Sequence, residues 1–225
     1  MAFEHLNAAE SEILAKQKLE SGIISIATTE IALYGSVLPA LHRFKQDHPG
    51  VKIHLTNFTT PQALQSIKSG LADFAVVTLY KPDESGFIVE PIRNFKESLY
   101  CPANILPVNN LSIALSLPYI SLEQGSQTYK FCQDYLYSVG IKREPDIEVA
   151  TADQILPLIK SGIGVGFLPD FLATEALYHR EIEKVKLPSP LTDRTICIVY
   201  NKGESLNIAA QKFKNYILST QNTSQ

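Results

Sequence analysis

The sequence predicts an α/β protein of two similar lobes joined by a two-strand hinge, and three observations carry that prediction. Apolar residues follow a β-α-β-α-β order between residues 23 and 77. The same order restarts near residue 119, and one further strand and helix remain after the second series is complete. If the chain crosses back at about Arg194 to Val199, that strand rejoins the first series and the hinge has two strands.

Composition narrows the function classes before any motif is read. With 45% apolar and 19% charged residues in a chain of 225, a real core can form. A net charge of -3 supplies no positive field to neutralise a phosphate backbone, so this chain alone is a poor nucleic-acid binder. Cys101, Cys132 and Cys197 lie far apart without a Cys-x-x-Cys spacing or a histidine pair. They read as reduced cytosolic thiols and exclude a disulfide framework or zinc site. No apolar run reaches secretory or membrane-spanning length, and a soluble cytoplasmic protein without a membrane role is expected.

The elements follow in order. Residues 2–20 hold no Pro or Gly, and Phe3, Leu6, Ile13 and Leu19 form a thin helical stripe suited to packing on a partner or on the chain's own domain. Ser21-Gly22 stops that helix, and Ile23 to Ala27 is a short β-branched strand. A helix with apolar spacing at Val37, Leu38, Leu41 and Phe44 ends near Asp47-His48-Pro49-Gly50. Val51 to Leu55 alternates as a second strand, Thr59-Thr60-Pro61 opens a helix facing inward through Leu64, Ile67 and Leu71, and Phe74 to Val77 is a third strand. Ile88-Val89-Glu90 and Ser98 to Cys101 are strand-like pieces leading away.

In the second series Tyr119 to Leu122 is a strand, and residues 124–128 turn into a helix bearing Phe131, Tyr135 and Leu136. Asp146 to Val149 is a strand, and Thr151-Ala152-Asp153 caps a helix through Ile155, Leu158 and Ile159. Gly162 to Pro169 combines a glycine stop with an apolar strand, Ile196 to Tyr200 is a late strong strand, and Leu206 to Leu218 is a last helix. The two series make two Rossmann-like subdomains with mostly parallel sheets. Residues 21–98 and 198–220 form the first, 99–197 the second, and residues 1–20 precede both.

These blocks resemble the effector-binding domain of LysR-type bacterial transcription regulators from Glu20 to Leu218. The resemblance rests on Ser21-Gly22 before the Ile-rich strand, Leu38-Pro39 with Phe44, Pro49-Gly50-Val51, and Gly70-Leu71-Ala72-Asp73-Phe74-Ala75-Val76. Gly162 to Pro169 and Ile198-Val199-Tyr200 complete it, the order and spacing of the blocks being more specific than any one of them. It implies a periplasmic-binding-protein-like (type II) fold that takes a small-molecule effector, such as a small organic acid or amino acid, between its lobes. It further implies a homodimer, with a tetramer open to the full-length protein, and residues 2–20 as the end of a linker helix. DNA would be reached only through an N-terminal winged helix-turn-helix outside this chain, whether the chain is a piece or a headless relative. No cofactor and no metal are implied.

Ligands of doubly wound sheets sit beyond the carboxyl ends of strands, where loops expose N–H groups and helix N-termini. That rule selects Thr28, Thr29 and Glu30, then Thr59 and Thr60, then Thr78 and Tyr80 in the first lobe. In the second it selects Gly125, Ser126, Gln127 and Thr128, with Thr151 at another cap and Phe167 to Pro169 as an apolar wall. Each hydroxyl could equally be a helix cap worth about 1 kcal/mol; convergence on one crevice is what a cap does not require. Glu30 would oppose a carboxylate ligand unless it points to solvent or the ligand carries an amine.

Other functions are weighed against this one. Catalysis lacks a constellation, because His5, His42, His48, His54 and His179 fall away from the expected crevice. Peroxide-sensing members of the same family use a cysteine pair in the second lobe, but Cys132 has no local resolving partner. Cys101 and Cys197 fall on the hinge strands, as buried thiols rather than a redox pair. A solute-binding protein of a transport system shares the two-lobed plan, though no export signal is seen. A dimerisation module without ligand is the remaining alternative.

Overall fold

Two five-stranded mixed sheets carry the chain, each built from the same sequence of events. The structure, a computed structural model, describes residues 19, 21–79, 86–103 and 110–221. The expected linker helix therefore lies outside the described residues except for Leu19, which packs on the first lobe's core.

In the first sheet β1 (Gly22–Thr28) lies parallel to β2 (Val51–Asn57) and β3 (Phe74–Leu79). The β-branched Ile23, Ile24 and Ile26 favour extended backbone, and Ile24 and Ile26 bury completely in the first lobe's core. β10 (Arg194–Asn201) runs antiparallel between β3 and β4 (Phe87–Phe95), giving the order β2-β1-β3-β10-β4. The second sheet repeats the plan as β7-β6-β8-β5-β9. There β6 (Tyr119–Leu122) lies parallel to β7 (Ile147–Val149) and β8 (Val165–Pro169), and β5 (Glu97–Pro102) runs antiparallel between β8 and β9 (Ile182–Lys184).

The chain passes from β4 to β5 across Lys96 alone and returns through residues 185–193. β10 pairs with the first sheet from Arg194 onward, so residues 194–197, expected in the second lobe, belong to the first sheet. Periodicity could not show this, because an apolar strand reads alike in either sheet.

Helices cover both sheets. α1 spans residues 30–47 as an α-turn Glu30–Ala32, a π-helical stretch Leu33–Val37 and an α-helical stretch Leu38–Asp47. α2 is Thr60–Lys68, α3 Leu111–Ala114, α4 Gln127–Ser138, α5 Ile155–Lys160, α6 Asp170–Tyr178 and α7 Ile208–Gln221. A 3-10 turn, Ala152–Gln154, leads into α5. α1 and α7 close the first core through Phe44 and Phe213, whose ring centroids are 4.9 Å apart, over Phe74 of β3.

The lobes touch through specific side chains. Phe171 of α6 meets Phe95 edge-on at 5.8 Å, and the Arg93 guanidinium lies 4.9 Å over its ring. Arg93 also donates to the Gly35 carbonyl at 2.7 Å, in the π-helical stretch where the ordinary ladder is shifted by one residue. Ala152, from the second lobe's sequence, is buried in the first lobe's core cluster.

Candidate functional site: the cleft between the lobes

A cleft of about 270 Å³ opens where the C-terminal ends of β1, β2, β3 and β6 approach one another. From the first lobe it is lined by Thr29, Glu30, Thr59, Thr60 and Thr78, and from the second by Ser126, Gln127, Thr128 and Thr151. The structure thus brings together nine of the residues that the strand-end rule selects.

Local hydrogen bonds explain why the chain folds this way at each corner. Thr29 caps α1, its hydroxyl accepting from the Ala32 N–H at 3.4 Å. The Thr59 N–H and hydroxyl both donate to Gln62 Oε1 at 2.9 Å, fixing the start of α2. The Thr60 hydroxyl donates to the Thr78 carbonyl at 3.2 Å, tying that helix to β3. Ser126 caps α4 by accepting from the Tyr129 N–H at 3.0 Å. The Thr151 N–H donates to Gln154 Oε1 and its hydroxyl to Asp153 Oδ1. These residues are therefore caps and cleft walls at once, and the N-termini of α2 and α4 present partial positive charge to the cleft.

The other expected contacts are elsewhere. Thr28 is completely buried, its hydroxyl donating to the Thr29 carbonyl at 3.0 Å. Phe167 is not a cleft wall: β8 is buried along its whole length, and the ring packs edge-on to Tyr119 and Tyr135 in the second core. Pro169 pairs with Glu97 across β8 and β5 and precedes α6. Gly125 is exposed at the turn and does not line the cleft, and Tyr80 lies outside the described residues.

Sequence reasoning missed Asn57, Phe58, Gln62 and Glu123, all of which line the cleft. Asn57 ends β2, so the same strand-end rule would have found it. No signal pointed to Arg194, whose side chain is completely buried beneath the cleft floor. Its Nη1 donates to Glu97 Oε1 at 2.8 Å, and its Nη2 donates to the hydroxyls of Thr78 at 2.9 Å and Thr128 at 3.1 Å. The guanidinium also lies over the rings of Phe95 and Phe131 at 5.4 and 5.1 Å. One cation thus joins the first residue of β10, the start of β5 and one cleft-lining hydroxyl from each lobe. Burial pushes the Glu97 carboxyl up, and Arg194 pulls part of that shift back.

At the rim, Asn57 Nδ2 donates to Glu30 Oε2 at 3.3 Å. Burial and the Asp153 charge push Glu30 up to about 7, the Asn57 hydrogen bond acting against them. Glu30 is half-buried at the cleft rim.

The three cysteines are buried. Burial pushes the thiols of Cys101 and Cys197 up to about 11 and that of Cys132 well above its ordinary value. Such thiols carry little thiolate. Cys101 and Cys197 sit in different sheets, on β5 and β10. Among the described residues no group of three or more His, Cys, Asp or Glu gathers to hold a metal, no histidine lines the cleft, and no helix is long and apolar enough to cross a membrane.

The family profile described as the LysR substrate binding domain matches residues 17–222. The chain belongs to this family. Among curated LysR-type relatives, the regulator YybE of Bacillus subtilis is 24% identical over 216 residues, 93% of this chain and 72% of its own length. The transcriptional activator CmpR of Synechocystis is 25% identical over 95% of this chain and 71% of its own. A hydrogen peroxide-inducible genes activator of Haemophilus influenzae is 24% identical over 72% of this chain and 55% of its own. Two solved LysR domains share the fold. The regulatory domain of Synechocystis CcmR in complex with 2-PG gives a TM-score of 0.79 at 17% identity, and the effector-binding domain of QuiR in complex with shikimate gives 0.75 at 16%. Each alignment covers 91% of this chain and 99% of that one. The type II periplasmic-binding-protein-like architecture expected from the sequence is the one these domains have.

Proposed function

We propose that this chain senses a small-molecule effector in the cleft between its lobes and so modulates transcription as part of a LysR-type regulator. The observation that carries the reading is one cleft walled by hydroxyl and amide groups from both lobes, with two helix N-termini aimed into it. A molecule bound there contacts both lobes and favours one inter-lobe angle by its unequal affinity for the open and closed forms. The cleft suits a small polar molecule with acceptor groups for the hydroxyls and helix ends, such as a small organic acid or amino acid. The effectors named in the QuiR and CcmR complexes support that class.

A homodimer, and DNA contact through a head outside this chain, complete the reading; the net charge of -3 agrees with DNA being read elsewhere. Among the described residues no nucleophile and base lie side by side in the cleft, which favours binding over catalysis. The three buried thiols favour a metabolite over peroxide as the signal.

Thermal unfolding against a panel of small carboxylates, amino acids, aromatic acids and sugar phosphates tests the proposal. A compound at a hundred times its dissociation constant adds about 2.7 kcal/mol to stability. Ala150, exposed on the cleft wall, is the control position. Ala150→Trp fills the space without removing a side-chain hydrogen bond, and it should fold while losing the shift. A shift that persists in Ala150→Trp places binding elsewhere, and no shift from any compound favours a dimerisation module.

A further inference from the structure

Charge is placed unevenly around the cleft. Glu30 from the first lobe and Glu123 from the second both line it, and no Lys, Arg or His does so among the described residues. Glu30 is half-buried at the rim and accepts one neutral hydrogen bond, from Asn57 Nδ2 at 3.3 Å. A carboxylate so placed has lost hydration without gaining a cation in return.

The floor has the opposite character. Thr78 and Thr128, one from each lobe, line the cleft, and both hydroxyls accept from the same Arg194 Nη2, at 2.9 and 3.1 Å. A hydroxyl carries a single proton, and a donor on its lone pair turns that proton the other way. Arg194 is completely buried on one side of the two threonines, so their protons are left to the cleft side, where neither has an acceptor among the described residues. Thr78 is only 2% exposed, and a buried O–H without an acceptor is costly until something supplies one. The cation beneath polarises both hydroxyls as donors. Thr128 stands in the first turn of α4, and Thr60, which opens α2, donates to the Thr78 carbonyl, so both hydroxyls also lie beside helix N-termini.

We propose that the effector is a small amino acid, or another small acid bearing an amine, with its ammonium bound by Glu30 at the rim and its carboxylate by the Thr78 and Thr128 hydroxyls at the floor. The inference rests on the sensing reading of the same cleft and names the chemistry that the cleft selects. Neither half of such a molecule suffices. An acid without an amine meets the floor donors but adds a negative charge beside Glu30 and Glu123. An amine without an acid pairs with Glu30 but leaves the Thr78 proton unmet. A zwitterion satisfies both ends, and its carboxylate takes one hydrogen bond from each lobe. Burial, more than the Asp153 charge, pushes the Glu30 carboxyl up to about 7 in the free cleft, a cost that a bound ammonium relieves.

Calorimetric titration of the full chain tests this with matched probes: short α- and ω-amino acids, each beside the acid that lacks its amine and the amine that lacks its carboxylate. The expected result is an amino acid whose affinity falls roughly tenfold or more in either half-molecule. Glu30→Gln keeps the side-chain shape and an oxygen for Asn57, and it should weaken the amino acid by about the same factor without weakening the amine-free acid. Thr128→Val should lower affinity for the carboxylate-bearing compounds more than for the bare amine. An amine-free acid that binds as tightly as its amino acid, or an amino acid whose affinity Glu30→Gln leaves unchanged, overturns the inference. Where Ala150→Trp nevertheless abolishes that binding, the sensing clamp stands without it. No binding by any compound of the wider panel removes the sensing reading and this inference together.

Discussion

Arg194 concentrates the energetics of the cleft floor in one side chain. It is 1% exposed, and removing it leaves Glu97 buried without its cation. Loss of one partner of a buried pair costs about 3–5 kcal/mol. Arg194→Met should therefore lower stability in urea unfolding by that amount, and a loss below 1 kcal/mol would deny the pair its structural weight. A second, half-buried ion group ties β4 to β10 and α7. Lys214 Nζ donates to Glu90 Oε1 at 2.7 Å, and the Tyr200 hydroxyl donates to the same oxygen. Burial pushes Glu90 up, but the two hydrogen bonds outweigh it and hold the carboxyl below its ordinary 4.5. A depressed carboxyl stabilises the fold above its unfolded value, and that contribution is lost as pH falls through the folded value. Lys214→Met should flatten the acid limb of the stability profile below about pH 4.5, and an unchanged limb would assign acid sensitivity to other groups.

At the level of elements, two glycines set how closely segments approach. A Cβ on Gly164 would stand 2.1 Å from the Pro118 carbonyl oxygen, a backbone atom with little freedom to move. A Cβ on Gly35 would stand 2.6 Å from Ile196 Cδ1 and 3.0 Å from Phe171 Cζ, where side chains can yield. Overpacking of this kind costs about 1–3 kcal/mol, and Gly164→Ala should exceed Gly35→Ala when both are melted side by side; the reverse order would contradict the packing described. The two β-α-β-α-β series were legible because Ile24, Ile26, Phe74 and Val76 on the strands and Phe44 and Ile67 on the helices must all bury, which imposes the periods. The direction of β5 and β10 was not, since antiparallel insertion leaves no mark on an all-buried strand such as 97–102. Site legibility divides the same way. Thr59, Ser126 and Thr151 announce themselves because a cap at a strand-to-helix turn faces the cleft by topology. Arg194 does not, because it joins hydroxyls 66 and 116 positions away and depends on how the lobes sit together. Phe167 misled because an apolar residue near a strand end can face the core as readily as the cleft.

Over the whole molecule, two cores are linked by a short crossing at Lys96 and a longer one over residues 185–193, with Arg194 bridging Thr78 and Thr128 across the junction. Breaking one neutral partner of that bridge should loosen the lobes more than it unfolds them. Thr128→Val is thus expected to cost about 1 kcal/mol in stability and to broaden the inter-lobe distance distribution. A distribution as narrow as the wild type would show that Arg194 does not couple the lobes. That a small molecule between the lobes fixes their angle is tested most directly by spin labels on Lys52→Cys and Lys142→Cys, one exposed position in each lobe, in the presence and absence of a compound that raises the unfolding temperature. The inter-label distance distribution should narrow and shorten on saturation, and Ala150→Trp should abolish the change. An identical distribution with the compound demonstrably bound would contradict it.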